Sequence, residues 1–281
     1  EDEDGEGKLR TRVTPACGRQ ACLPVGRDTL ARRSASARRH GHVSYMPEGS
    51  INMDYQQFLT LVKTRRSTRR FKTDPVPDDM VEKIIEAARW APSGANSQPW
   101  EFIVIKNKET KNKIVDIIKE HGEYGRKVEL TRQEELRWPS AARAVGDPGF
   151  KDAPLFIILC GDPRTRESYP LLTLLTRGDS HFASALASAF LNMALAATTL
   201  GLGSQWMSAT GHPFVMCLLK DLLGIPDKLV IYDTMAVGYP AEQPKPRLVR
   251  ERADMVHDGR YDKTKYRTDA EIRDFLISLR K

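Results

Sequence analysis

The sequence predicts a mixed helix-and-strand protein, α+β or α/β, and three observations carry that expectation. Segments with helical apolar spacing alternate with short unbroken apolar runs of strand length. Links rich in Gly, Pro and Asn separate them. Of the 281 residues 40% are hydrophobic, enough for a real core, and 29% are charged, an ordinary share for a soluble protein.

Taken in order, Asp54 is a plausible N-cap for a helix carrying Tyr55, Phe58, Leu59 and Val62 on one side. This helix stops at the arginine cluster of residues 65–70. Pro77-Asp78-Asp79 opens a second helix, whose Val81, Ile84, Ile85 and Ala88 keep the i, i+3, i+4, i+7 rule. Residues 91–96 form a loop, and Phe102–Ile105 a short buried strand. Lys111–Glu120 reads as a helix with Ile114, Val115, Ile117 and Ile118 inward. Residues 121–150 read as charged and irregular, a lid or substrate-facing loop. Strands follow at Leu155–Cys160, Ser204–Ser208 and Tyr232–Val237, and helices at 181–200, Phe214–Leu223 and Asp269–Arg280. There is no internal repeat.

The first 45 residues differ from the rest. No lysine occurs between Leu9 and Val62, whereas arginine appears eight times. Without helical or strand period, residues 1–45 read as a disordered or adventitious tail, with the folded domain at 46–281 and Met46 or Met53 as a sensible start. The opening Glu-Asp-Glu-Asp lacks the apolar core of a signal peptide. Cys17 and Cys22 with His40 and His42 fit no zinc module, and no metal site is expected. Cys160 and Cys217 lie in apolar stretches, which suits reduced thiols and a cytoplasmic setting.

The net charge of +7 divides into +3 from the tail and +4 from the remainder. That balance favours small anionic ligands and does not demand nucleic acid; the arginine runs lack the interleaved aromatics that stack bases. His181–Leu202 is apolar and long enough to span a bilayer, but its Ala, Ser and Thr content suits a helix buried on all sides by protein. A membrane is therefore not an expected partner.

Two stretches carry chemistry. Arg65, Arg66, Ser67, Arg69 and Arg70 place four cations and a hydroxyl at a helix end. Crowded like charge is costly unless an anion neutralises it, and guanidinium forks match phosphate oxygens. In the loop from Pro92 to Trp100, Gly94 permits close backbone approach to a ligand, and Ser93, Asn96 and Gln98 offer donors and acceptors. No GxGxxG follows a strand and no Walker lysine loop is present, so other common nucleotide folds gain no support.

Together these stretches resemble the nitroreductase family. The likeness continues through Gly201-Leu202-Gly203, Val237-Gly238-Tyr239-Pro240, Lys245-Pro246-Arg247 and Arg250, and spans about residues 53–260. It implies an α+β fold with a central, mostly antiparallel sheet flanked by helices, and a long buried helix at a homodimer interface holding two FMN sites. By that likeness Arg65, Arg66, Ser67 and Arg69 bind phosphate, ribityl chain and pyrimidine edge. Pro92, Ser93, Gly94 and Asn96 line the flavin, some from the partner subunit. Trp206, Met207 and Ser208 lie beside the flavin N5 and O4, and Arg250 returns to the phosphate. Within the family the sequence is closer to iodotyrosine deiodinases. Glu120 and Tyr124 then become substrate-binding candidates, and Ser208 is the catalytic candidate, its hydroxyl near N5. The implied activity is reduction of FMN by NADH or NADPH, then of a small aromatic nitro or quinone-like acceptor, in ping-pong order. The alternatives are reductive dehalogenation of a halophenol or halotyrosine, and a basic nucleic-acid-binding protein.

Overall fold

A computed structural model describes residues 53–243 and 247–280. The expectations about Cys17, Cys22, His40, His42, Met46, the tail and the Lys245-Pro246 pair fall outside those residues. Six helices and four strands are described: α1 (Tyr55–Thr64), α2 (Asp78–Arg89), β1 (Trp100–Ile105), α3 (Lys108–Glu129), β2 (Leu155–Gly161), α4 (Leu171–Thr199), β3 (Gly203–Met207), α5 (Pro213–Leu223), β4 (Val230–Gly238) and α6 (Asp269–Ser278).

The strands form one sheet in the order β1-β2-β4-β3, every neighbouring pair antiparallel. This makes the fold α+β. β2 is buried along its whole length, as an inner strand covered on both faces must be. One face carries α2 and α4 through Val81, Ile84, Leu186, Phe190 and Met193; the other carries α3 and α5 through Ile114, Val115, Val215 and Leu219. β4 bulges against β2: Leu159 pairs with Asp233 and Cys160 with Ile231, so Tyr232 is the extra residue.

Local chemistry accounts for most helix boundaries. Asp54 accepts from the Gln57 N–H while the Gln57 side chain accepts from the Asp54 N–H, a reciprocal capping box. Thr268 and Glu271 do the same for α6. Asp78 and Asp79 place carboxylates in the first turn of α2, where they complement the helix dipole.

Two expectations are corrected. The expected irregular stretch at 121–150 begins nine residues too early, because α3 continues to Glu129 through Gly122 and Gly125. Each glycine costs a helix about 1 kcal/mol, and here Gly122 packs against Val145 while Arg126 pairs with Glu123. Only residues 130–152 are irregular, built from three short 3-10 turns. The second correction concerns α4, which starts at Leu171 and not at His181, and is not buried on all sides. Phe182, Leu186, Phe190 and Met193 face the core, while Leu171, Leu172 and Leu175 are 69–74% exposed. Arg177 and Asp179 interrupt its apolar run, Asp179 pairing with Arg166. In length and hydropathy α4 matches a membrane span, with 44% of its most apolar window buried inside the chain.

Candidate functional site

After α1 ends, residues 65–71 run as a strap along the free edge of β3. Ser67 bridges Ser204, whose carbonyl accepts from the Thr68 N–H at 2.9 Å. Further on, the Lys72 N–H donates to Tyr239 O and the Ala241 N–H to Arg70 O, both at 2.9 Å. Thr68 is 3% exposed and seated on Gly203, where a Cβ would lie 2.2 Å from the Thr68 Oγ1. The buried threonine thus fixes the strap, while its neighbours Ser67 and Arg69 are half-buried and exposed.

The guanidinium groups on this strap meet no carboxylate among the described residues. Among the described residues none of Arg65, Arg66, Arg69, Arg70, Arg247 or Arg250 enters a salt bridge. Arg66 Nη1 donates to the carbonyls of Lys63 and Arg65. Burial holds the Arg65 pKa below its usual range, and repulsion from Arg247 and then Arg66 adds to the effect. A partly buried cation facing two like charges is an unfavourable arrangement that an anion would relieve. The late arginine brought to the cluster is Arg247. Arg250, the residue expected there, donates to Asp254 O in its own segment at 3.2 Å.

The loop at 92–98 is strained and lies elsewhere. Ala95, Asn96 and Gln98 all have positive φ, at 50°, 52° and 43°. Such backbone is uncommon outside glycine, with Asn the best tolerated, and tends to mark functional turns. Gly94 is also packed closely within its own chain: a Cβ there would come within 3.1 Å of the Tyr169 ring and 3.3 Å of His181 Nδ1. The Ser93 Oγ accepts from the Gln98 N–H at 3.0 Å, which closes the loop on itself. Pro92 and Asn96 are exposed.

Within one chain the strap and the loop do not meet. The loop feeds β1 at one edge of the sheet, and the strap lines β3 at the other, about 14 Å away across three strand spacings. They also sit at opposite ends of the strands, since Trp100 pairs with Gly161 while Gly203 pairs with Gly238. Helix α4 gives an independent scale. Gly94 touches His181, Thr68 touches Gly203 just past the helix end, and residues 181–199 rise about 27 Å.

Trp206 and Met207 end β3, and Ser208 begins the following turn, exposed. Met207 is buried at 3% exposure. Trp206 is 43% exposed and packs on Phe190 with ring centroids 4.2 Å apart. Its indole N–H donates to Asp233 Oδ2, a residue the sequence reading missed. The missed signal was a lone acid in the middle of an apolar strand. Glu120 and Tyr124 lie mid-helix in α3, both exposed, and not in a lid. His212 occupies the N-cap position of α5 without a side-chain capping bond, its ring 4.7 Å from that of His121. Two clefts of the single chain, about 720 Å³ around Tyr261 and about 710 Å³ around Lys111, contain none of the expected site residues.

Comparison with known proteins bears on this geometry. Residues 62–239 match the nitroreductase family, and the chain belongs to it. A protein of Archaeoglobus fulgidus with the provisional name NADH dehydrogenase/NAD(P)H nitroreductase is 30% identical over 188 residues, covering 67% of this chain and 88% of that protein. The iodotyrosine deiodinase of Hydra vulgaris is 28% identical over 214 residues, 72% of this chain and 71% of that one. Among solved structures, a provisionally named nitroreductase of Desulfovibrio desulfuricans in complex with FMN is 26% identical with a TM-score of 0.51, covering 73% of this chain and 97% of that one.

Proposed function

We propose that the chain is an FMN-dependent NAD(P)H oxidoreductase, a homodimer that reduces a small aromatic nitro or quinone-like acceptor in ping-pong order. The observation that carries this reading is the set of guanidinium groups of Arg65, Arg66 and Arg247, crowded on a fixed backbone with no salt-bridging carboxylate among the described residues. Such a set fits the phosphate of FMN in charge and in hydrogen-bond geometry. Arg65, Arg66, Ser67, Arg69 and Arg247 hold the phosphate and ribityl end. FMN supplies the hydride and electron chemistry when bound.

The remainder of the pocket comes from a second copy. Helix α1 buries none of its residues in the single chain, although Tyr55, Phe58 and Val62 form an apolar stripe 41–69% exposed. A helix of ten residues is marginal alone, so this stripe requires a cover, and the exposed leucines of α4 extend the same need. In the dimer the partner's strained loop, with Pro92, Ser93, Gly94 and Asn96, completes the flavin pocket. With FMN held there, Arg65, Arg66 and Arg69 would lend it positive charge.

Purified protein is expected to be yellow and to bleach anaerobically with NADH or NADPH. A colourless protein that takes up no added FMN would remove the reading. A second reading, reductive dehalogenation of a halophenol or halotyrosine, rests on the likeness to the Hydra deiodinase. The exposed mid-helix positions of Glu120 and Tyr124 in the chain weaken it. Anaerobic turnover of matched nitroaromatic and halophenol panels separates the two.

A further inference from the structure

The middle of β4 carries one acid among Val230, Ile231, Met235, Ala236 and Val237. Asp233 is 8% exposed and enters no salt bridge among the described residues. Burial pushes its carboxyl up to about 6, against the opposing pull of the Trp206 hydrogen bond and of His212. An apolar residue would be cheaper at this depth, so its presence calls for a role beyond packing.

The surrounding geometry gives that role. The bulge at Tyr232 sets Asp233 against Trp206 at the end of β3. One face of the indole lies on Phe190, with Tyr232 at 6.0 Å, and the 43% of Trp206 that is exposed leaves the other side open. The turn that carries Ser208 rests on the same acid: a Cβ on Gly211 would meet Tyr232 O at 2.7 Å and Asp233 Oδ1 at 3.2 Å. One carboxyl therefore braces both the indole and the turn beside it.

We propose that Asp233 is a positioning residue which, through its hydrogen bond to Trp206, holds the indole as a stacking platform for a planar aromatic acceptor next to Ser208. This rests on the oxidoreductase reading above. Aromatic faces stack favourably on flat conjugated rings, and an indole locked at its N–H loses little entropy on receiving one. Ionisation strengthens the bond, since a charged acceptor binds an N–H about twice as strongly as a neutral one. The groups facing the carboxyl are few. Tyr232 flanks it on its own strand, His212 faces it from the start of α5, His121 of α3 stands behind His212, and α4 presents the apolar Phe190. Burial lowers the His121 pKa and His212 lowers it further, which keeps that imidazole neutral at and above neutral pH.

Three variants test the proposal in the flavin-saturated protein. Asp233→Leu removes the acceptor of the indole N–H, Trp206→Phe removes the donor, and Asp233→Asn keeps an acceptor that does not titrate. The first two are expected to raise KM for a planar nitroaromatic or quinone about tenfold while kcat changes far less. Asp233→Asn, a neutral acceptor at every pH, is expected to show at pH 8 the KM that the wild type shows below about pH 6, where its carboxyl is protonated. Tryptophan emission of the wild type should step near pH 6, a step absent from Asp233→Asn and Trp206→Phe. Unchanged KM in Trp206→Phe together with a flat wild-type emission profile would overturn the proposal, even if Asp233→Leu fails to fold. A wild type that shows the emission step but takes up no FMN would instead overturn the oxidoreductase reading.

Discussion

Arg65 sits partly buried with Arg247 and Arg66 as its charged neighbours, so its charge is both desolvated and repelled. Removing it should weaken FMN binding by one to two decades, because a charge-assisted hydrogen bond contributes about 1.5–3 kcal/mol; titration of the apoprotein with FMN measures the loss for Arg65→Ala. Asp233 makes a prediction of opposite character. Its folded pKa lies above the usual carboxylate value, so the folded state holds a proton that the unfolded chain has released. Its contribution to stability is therefore greatest below about pH 4, falls as the pH rises to about 6, and stays low beyond. A shift from 3.8 to about 6 corresponds to about 3 kcal/mol, so Asp233→Asn should be more stable than wild type at pH 8 and lose that advantage at pH 4. Urea melts at the two pH values check this. The strap arginines were legible as a cluster in the sequence. Arg247 beside Arg65 was not, because 181 intervening residues separate them and only the pairing of β3 and β4 closes the gap. Asp233 escaped notice because nothing local marks which neighbour an acid in a strand will meet.

The apolar pattern located all six described helices, although α1 and α6 bury no residue in the single chain, and capping residues set the starts of those two. It misjudged α3 and α4 for physical reasons. Gly122 and the charge of the stretch read as irregular chain, yet the Glu123–Arg126 pair and the Val145 contact keep the helix intact. In α4 an even apolar surface conceals which side meets its own chain. The exposed apolar stripe of α1 predicts that Phe58→Asp yields a monomer by size-exclusion chromatography and lowers flavin content with it. Gly203→Ala forces a methyl into the Thr68 side chain, and overpacking of this kind costs about 1–3 kcal/mol. Because Thr68 anchors the strap, FMN affinity should fall alongside the melting temperature. A fall in melting temperature with unchanged affinity would show that the strap does not depend on that contact.

At the scale of the molecule, the strap and the loop lie at diagonal corners of the sheet, a separation no single chain closes. The strand positions were visible in the sequence pattern, which left α+β and α/β open until the family resemblance implied α+β; strand order was not visible, since it rests on long-range pairing. The family match begins at residue 62, so deleting residues 1–45 should leave FMN content and turnover unchanged. The measurement that bears most directly on the shared pocket is complementation between two defective chains. Arg65→Ala damages the strap and Ser93→Glu the loop, and each homodimer alone should bind FMN poorly. When the two are unfolded, mixed and refolded, a mixed dimer has one pocket carrying both lesions and one carrying neither, so FMN uptake should return to one equivalent per mixed dimer. If mixing restores no flavin, each pocket lies within a single chain and the shared site is contradicted.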